Sequence, residues 1–444
     1  MFTRLAPLVV LAVLAVPAQP RAQAPATDLD PRIMALLPEV SEVRLAETVA
    51  RLASFGTRNT MSPQDQADRG VGAARQWIFD EFQRASSRLR VSFDTYRIPP
   101  TGQRITREVE VRNVMAVLPG RSPRRVYVSG HYDTVARVEG SQQGFDWSKA
   151  DNPAPGANDD GSGTALVLEL ARVLGGSGLD FDATIVFVAF VGEEQGLVGA
   201  KLHAQRADEQ HTPIEAVFNN DIVGNATGGN GIVDAESVRV FSEGPEDSPS
   251  RQLARFIRRV AGRYVPSHRV RLIARHDRFG RGGDHTSFNQ HGFTAVRITE
   301  ANENYSRQHT VRDTPDGVDP AYLARNARIN LAGVAALASA PPRPDVMDRG
   351  PMLDRGESGY DARLRWKPVP GAVAYRVFWR EAWTPDWQHE AVVGNVTEFT
   401  MANVSIDDYI FGVAAIGAGG HESLVSAYVN PPRERVDIKT LPPQ

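Results

Sequence analysis

Two adjacent carboxylates, Glu193 and Glu194, follow Gly192 at the end of the apolar, β-branched and aromatic run 184–191. Side by side, such groups repel unless protons or cations compensate them. Other polar residues stand at comparable places. His131 and Asp133 follow Val126-Tyr127-Val128, Asp159 and Asp160 precede Gly161-Ser162-Gly163, Asp221 lies in the run 216–223, and His309 comes later. Five of these, His131, Asp159, Glu194, Asp221 and His309, are metal-ligand types. Two imidazoles and three carboxylates form a hard-to-borderline donor set suited to zinc. Five protein ligands are too many for one tetrahedral ion and fit two if one carboxylate bridges.

Each residue alone has a plain structural reading. Glu193-Glu194 reads as a solvated turn, Asp159 as a charge on a helix dipole, Asp221 as a turn cap, and either histidine as a satisfied strand-end side chain. Independent plain readings do not explain all five together.

The elements around them explain why they should meet. Segment 184–191 predicts a strand buried on both faces, as in a parallel sheet covered by helices. Further strands are predicted at 91–98, 109–118, 125–129, 216–223 and 294–299. Helices are predicted at 41–54 with Ser41 as N-cap, 74–85, 164–174, through Ala200 and His203, at 248–264 and at 319–338. Strands alternating with helices mean an α/β unit with a mostly parallel central sheet and helices on both faces. In such sheets the loops at the carboxyl ends of strands converge on one site. After a Pro-, Asp- and Arg-rich linker at 341–355, short alternating strands over 356–435 predict a small all-β sandwich.

Composition narrows the function. The 444 residues carry 50 basic and 53 acidic side chains, so nothing calls for nucleic acid as a partner. There is no cysteine, which excludes a thiol nucleophile and thiolate ligands. Residues 1–24 read as a secretory signal, with Arg4, an apolar core at 5–16 and Ala22-Gln23-Ala24 as a cleavage site. A secreted or periplasmic protein with no stable membrane span is expected, with a lead-in at 25–40 and a tail at 436–444.

Five motifs occur in one order: Gly130-His131-Tyr132-Asp133-Thr134, Pro155 to Gly163, Glu193-Glu194-Gln195-Gly196-Leu197-Val198-Gly199, Asn220-Asp221-Ile222-Val223-Gly224 and Gln308-His309-Thr310. With them the chain resembles the co-catalytic zinc aminopeptidase and glutamate carboxypeptidase-like family, metallopeptidase family 28, over about 40–340. The resemblance implies a two-zinc peptidase unit at 41–340. His131 and Asp221 would bind one Zn²⁺, Glu194 and His309 the other, and Asp159 both. It implies Glu193 as general base, Asp133 as the group orienting His131, and a cis bond at Asp159-Asp160. Many relatives carry a Tyr near the last histidine. Gln308 stands there, which leaves Tyr305 as the candidate oxyanion stabiliser. Asp284 and His285 read as supporting groups; Arg278, Arg281 and Arg297 could meet a substrate carboxylate but read first as solvated surface.

The function so implied is hydrolysis of N-terminal residues from peptide substrates. The alternatives are a carboxypeptidase of the same family, a glutaminyl cyclase and, from another class, a non-catalytic binding protein. The C-terminal module resembles a fibronectin type III domain through Leu364, Trp366, Tyr375, Val377, Trp379, Tyr409, Phe411 and Val413. Trp383 and Trp387 on its loop would meet a polymer or protein partner, or pack between domains.

Overall fold

The computed structural model describes residues 29–138, 144–147, 149–277, 282–347 and 352–429. The signal read at 1–24, the tail at 436–444, Arg278 and Arg281 lie outside the described residues.

The first unit is built on eight strands: β1 (Arg90–Ile98), β2 (Val109–Leu118), β3 (Ser122–His131), β4 (Ala183–Phe190), β5 (Ile214–Asn220), β6 (Ser237–Ser242), β7 (Arg269–Ile273) and β8 (Ala295–Glu300). They form one sheet in the order β1-β2-β4-β3-β5-β8-β6-β7. Pairs β3–β4, β3–β5, β5–β8 and β6–β7 are parallel. Pairs β1–β2, β2–β4 and β6–β8 are antiparallel. The helices are α1 (Pro31–Leu36), α2 (Glu42–Ala53), α3 (Gly70–Ala85), α4 (Gly161–Gly176), α5 (Val198–Glu209), α6 (Pro249–Tyr264), α7 (Asp284–Gln290) and α8 (Pro320–Ser339).

β4 shows why the sheet is covered on both sides. Ile185, Phe187 and Ala189 point into a core shared with α2, α3, α4, α6 and α8. Val186, Val188 and Phe190 point the other way, against Ala200, Ala204 and Ala207 of α5 and Phe288 of α7. An alternating strand buries one row per face, and here both rows are apolar. On α8, Gly333 allows a close approach: a Cβ there would stand 3.1 Å from Phe218 Cε1 of β5.

Several elements differ from the sequence reading. The lead-in contains α1, capped by Asp30, which accepts from Arg32 N. β6, β7 and α7 carried no separate prediction, because β6 and β7 are short and Arg-interrupted. α4 begins at Gly161 rather than 164, since Asp160 is its cap.

The second unit holds β9 (Leu353–Asp354), β10 (Asp361–Arg365), β11 (Ala372–Glu381), β12 (His389–Gly394), β13 (Glu398–Ser405), β14 (Tyr409–Gly417) and β15 (Ser426–Ala427). Two antiparallel sheets, β13-β10-β9 and β12-β11-β14-β15, enclose Leu364, Trp366, Tyr375, Val377, Phe411 and Val413. α6 joins the units. Trp387 Nε1 donates to Gln252 Oε1 at 3.1 Å, and Arg255 Nε donates to the Pro385 carbonyl at 2.9 Å. The buried Arg380 pairs with Asp247 at 2.9 Å. Trp387 thus packs between the units, whereas Trp383 is 72% exposed. No helix among the described residues is long and apolar enough to cross a membrane.

Phe187 lies fully buried on the larger core. Phe187→Ala is expected to cost about 3–5 kcal/mol, read as a lowered midpoint in urea unfolding of the peptidase unit. An unchanged midpoint would contradict this packing.

Candidate metal centre

The parallel strands β3, β4 and β5 run in register, so their carboxyl ends deliver His131, the 192–194 turn and Asp221 to one edge of the sheet. Asp160 ties that edge together. Its carboxylate accepts from Gly163 N of α4 at 2.9 Å, from His131 N at 2.9 Å and from Ile222 N at 3.1 Å. A Cβ on Gly163 would stand 2.3 Å from the Asn220 carbonyl, so only glycine lets the helix start against the β5 end. The Asp159–Asp160 peptide bond is cis.

Two groups of ligand types result: His131, Glu193 and Asp221, and Asp159, Glu194 and His309. Asp159 stands between them. Its Oδ1 lies 3.3 Å from His131 Nε2, and its Oδ2 lies 2.9 Å from His309 Nε2. Asp221 Oδ1 is 3.8 Å from His131 Nε2, and Glu194 Oε1 is 3.2 Å from His309 Nε2.

The surrounding groups fix these donors. Asp133 Oδ1 and Oδ2 accept the backbone N–H of Glu193 and of Glu194, each at 3.2 Å. The Asp133 carbonyl faces His131 Nδ1 at 3.1 Å. Gln308 Nε2 donates to Asp159 Oδ2 at 3.0 Å. Asp313 accepts from the N–H of Asn158 and of Asp159, both at 3.0 Å. Arg297 is wholly buried, with Nε 3.1 Å from Asp221 Oδ2 and Nη1 2.8 Å from Asp277. This corrects the reading of Arg297 as solvated surface: its β8 position faces the acids, and burial of a guanidinium requires such partners. Arg58 is equally buried and donates to the carbonyls of Tyr132 at 2.7 Å, Leu52 at 2.9 Å and Gly156 at 2.8 Å. Arg58, Asp277 and Asp313 stand in loops without a motif, so no sequence signal marked them.

The donors fit a metal. His131 Nδ1 faces the Asp133 carbonyl and Nε2 faces the Asp159 and Asp221 oxygens, so Nε2 meets them through its own proton as an imidazolium or through a shared cation. Glu194 Oε1 is buried without a hydrogen bond, a second donor left for such an ion.

Electrostatics agree. Burial pushes Glu193 well above the usual carboxylate range against the opposing field of His131, and Glu194, Asp221 and Asp284 push it further. Burial likewise raises Glu194, despite His309. Asp284 is pushed up to about 8, chiefly by burial. Asp159 goes the other way: against burial, His309 and His131 hold it well below its usual value. Burial opposes the charged form of His131, yet Asp133, Asp159 and Asp221 outweigh it and raise its pKa well above the ordinary imidazole value. Without a dication, this centre holds more buried carboxylate than the protein's own cations balance.

The centre opens into a cleft of about 580 Å³. Tyr305 lines it and is 60% exposed, while Gln308, beside the last histidine, is committed to Asp159. Asp284 and His285 lie buried on α7 near the centre, outside both ligand groups.

The profile described as Peptidase family M28 matches residues 113–334. A "probable zinc metalloprotease" of Pyricularia oryzae is 40% identical over 443 residues, covering 90% of this chain and 84% of its own. One of Leptosphaeria maculans is 38% identical, covering 88% and 95%. Among solved structures, the Legionella pneumophila LapA aminopeptidase superposes with a TM-score of 0.55 at 21% identity, over 72% of this chain and 78% of that one. The glutaminyl cyclase of Fimbriiglobus ruber superposes with a TM-score of 0.50 at 20% identity, over 67% and 95%.

Asp133 touches the turn of Glu193 and Glu194 and the ring of His131 at once. Asp133→Asn keeps its volume but places an NH₂ against one of those donors. Zinc affinity, measured by competition with a chromophoric chelator, is expected to fall roughly 10–100-fold. Unchanged affinity would remove Asp133 from the support of the centre.

Proposed function

This chain belongs to peptidase family M28 and is a zinc metallopeptidase; from that premise we propose that it is a two-zinc exopeptidase, an aminopeptidase with Glu193 as its general base. The observation that carries the reading is the placing of Asp159, one carboxylate oxygen toward each histidine. In this reading His131 and Asp221 would hold one ion, Glu194 and His309 the other, and Asp159 would serve both. Zinc bound there would acidify a water and polarise the scissile carbonyl.

The chain's own groups do the rest. Glu193 is half-buried at the cleft, and its backbone is pinned by Asp133. Its carboxylate takes the proton of the attacking water and returns it to the leaving amine. Glu194, fixed by the other Asp133 oxygen, faces His309 instead. The neighbours therefore divide the work of base and ligand. Asp133 and Asp160 orient the donors without touching substrate.

Support for an aminopeptidase comes from aminopeptidases of the same fold in Legionella and Aneurinibacillus. The fold alone does not select the reaction, since glutaminyl cyclases share it. Export is proposed on the charged, apolar and small-residue sequence at 4–24. A fibronectin type III-like role for the C-terminal sandwich is proposed on its sheets of three and four strands.

Glu193→Gln is expected to lower kcat by about 10²–10⁴-fold while zinc content stays at the wild-type level. Full activity would take the base role from Glu193, and loss of zinc would make it a ligand. A peptide with a free amine should be cut one residue at a time, and its N-acetylated form should resist. The reverse pattern would mean a carboxypeptidase. Ammonia release from an N-terminal glutamine without chain cleavage would mean a cyclase.

A further inference from the structure

Beyond the acids and histidines of the centre, the charged residues that line the cleft among the described residues are all cations: Arg104, Arg137 and Lys201. All three are exposed, and none has a carboxylate partner among the described residues. Other arginines of this chain are paired with carboxylates, among them Arg44, Arg124, Arg206 and Arg239.

The two arginines are also held in place, and on one side of the centre. Arg104 donates to the Glu194 carbonyl at 3.3 Å and stands 5.0 Å over the Trp147 ring. Arg137 donates its backbone N–H to the His309 carbonyl at 2.8 Å, and its guanidinium stands 5.5 Å over the Phe145 ring. Phe145 in turn meets His309 edge-on at 5.4 Å. Arg104, Arg137, Phe145 and Trp147 thus form one wall beside Glu194 and His309. Across the centre, beside His131 and Asp221, the guanidinium found among the described residues is Arg297, already spent on Asp221 and Asp277.

Planar guanidinium groups resting on aromatic faces, with no carboxylate partner among the described residues, are suited to bind a carboxylate. Because they are ordered before substrate arrives, little rotamer freedom is lost on binding. Resting on the peptidase reading above, we propose that this wall receives a carboxylate of the peptide substrate, next to the scissile bond, and that Arg104 and Arg137 select for it. The carboxylate belongs either to an acidic side chain or to the chain terminus of a dipeptide.

Three peptides separate the cases: Leu-Glu-amide against Leu-Gln-amide for the side chain, and Leu-Gln against Leu-Gln-amide for the terminus. kcat/KM is measured on the zinc-loaded full chain. At least one acid should exceed its amide by about tenfold or more, equivalent to about 1.4 kcal/mol, and the pair that does so names the source. In the Arg104→Gln/Arg137→Gln variant that ratio should fall to about one, with most of the change in KM. Ratios near one in the wild type, or a ratio that survives the double substitution, would overturn the proposal. Calorimetric binding of the same peptides to zinc-loaded Glu193→Gln keeps the two readings apart. Acid-selective binding without hydrolysis by the wild type would sink the peptidase step and leave the carboxylate wall standing. Equal binding of acid and amide would sink the wall, whatever the activity.

Discussion

The structure depends on one electrostatic constraint: several carboxylates are buried close together at one sheet edge. Asp159, Glu194, Asp221, Asp160, Asp284 and Asp313 are all buried there, with Glu193 half-buried beside them. Burial is the largest influence on each of these seven, and it favours the neutral acid. The two wholly buried arginines nearby, Arg58 and Arg297, balance only part of that charge. Remaining compensation must come from protons on the histidines and acids, or from metal. The zinc-metalloprotease relatives, and the buried Glu194 Oε1 that has no hydrogen bond among the described residues, point to metal.

Much of the local architecture follows from holding that cluster still. The start of α4 is stapled to β3 and β5 by Asp160, and glycines at 130 and 163 leave room for it. The turn carrying Glu193 and Glu194 hangs from Asp133. Behind β4, Asn113 accepts from Val191 N at 3.2 Å and donates to the Gly199 carbonyl at 3.1 Å, bracketing the same turn from its other side. The C-terminal sandwich is anchored elsewhere, on α6, through Arg380, Arg255 and Trp387.

What could be read from the sequence divides along physical lines. The strand 184–191 was legible because both of its faces are apolar, and His131, Glu194 and Asp221 were legible because they stand at or just past strand ends, with Asp159 just before a helix. Ser41 was legible as a cap, and it accepts from Arg44 N as expected. Arg297 was not: a lone arginine in an apolar strand gives no sign whether it faces water or a distant aspartate. Asp313 and Asp277 were missed for the same reason, since their partners lie far along the chain. Nor could sequence say that Trp387 packs between units while Trp383 stays exposed. The pairing of Arg104 with Trp147 likewise appears only when two separated loops meet at the cleft.

The central claim is that Asp159 joins two metal sites. It is tested most directly by zinc content of the purified, zinc-equilibrated protein, measured by mass spectrometry on the wild type and on His309→Ala. The account predicts two ions per chain in the wild type and one in the variant, with folding retained by circular dichroism. A single ion in the wild type, or two ions surviving in His309→Ala, would contradict it.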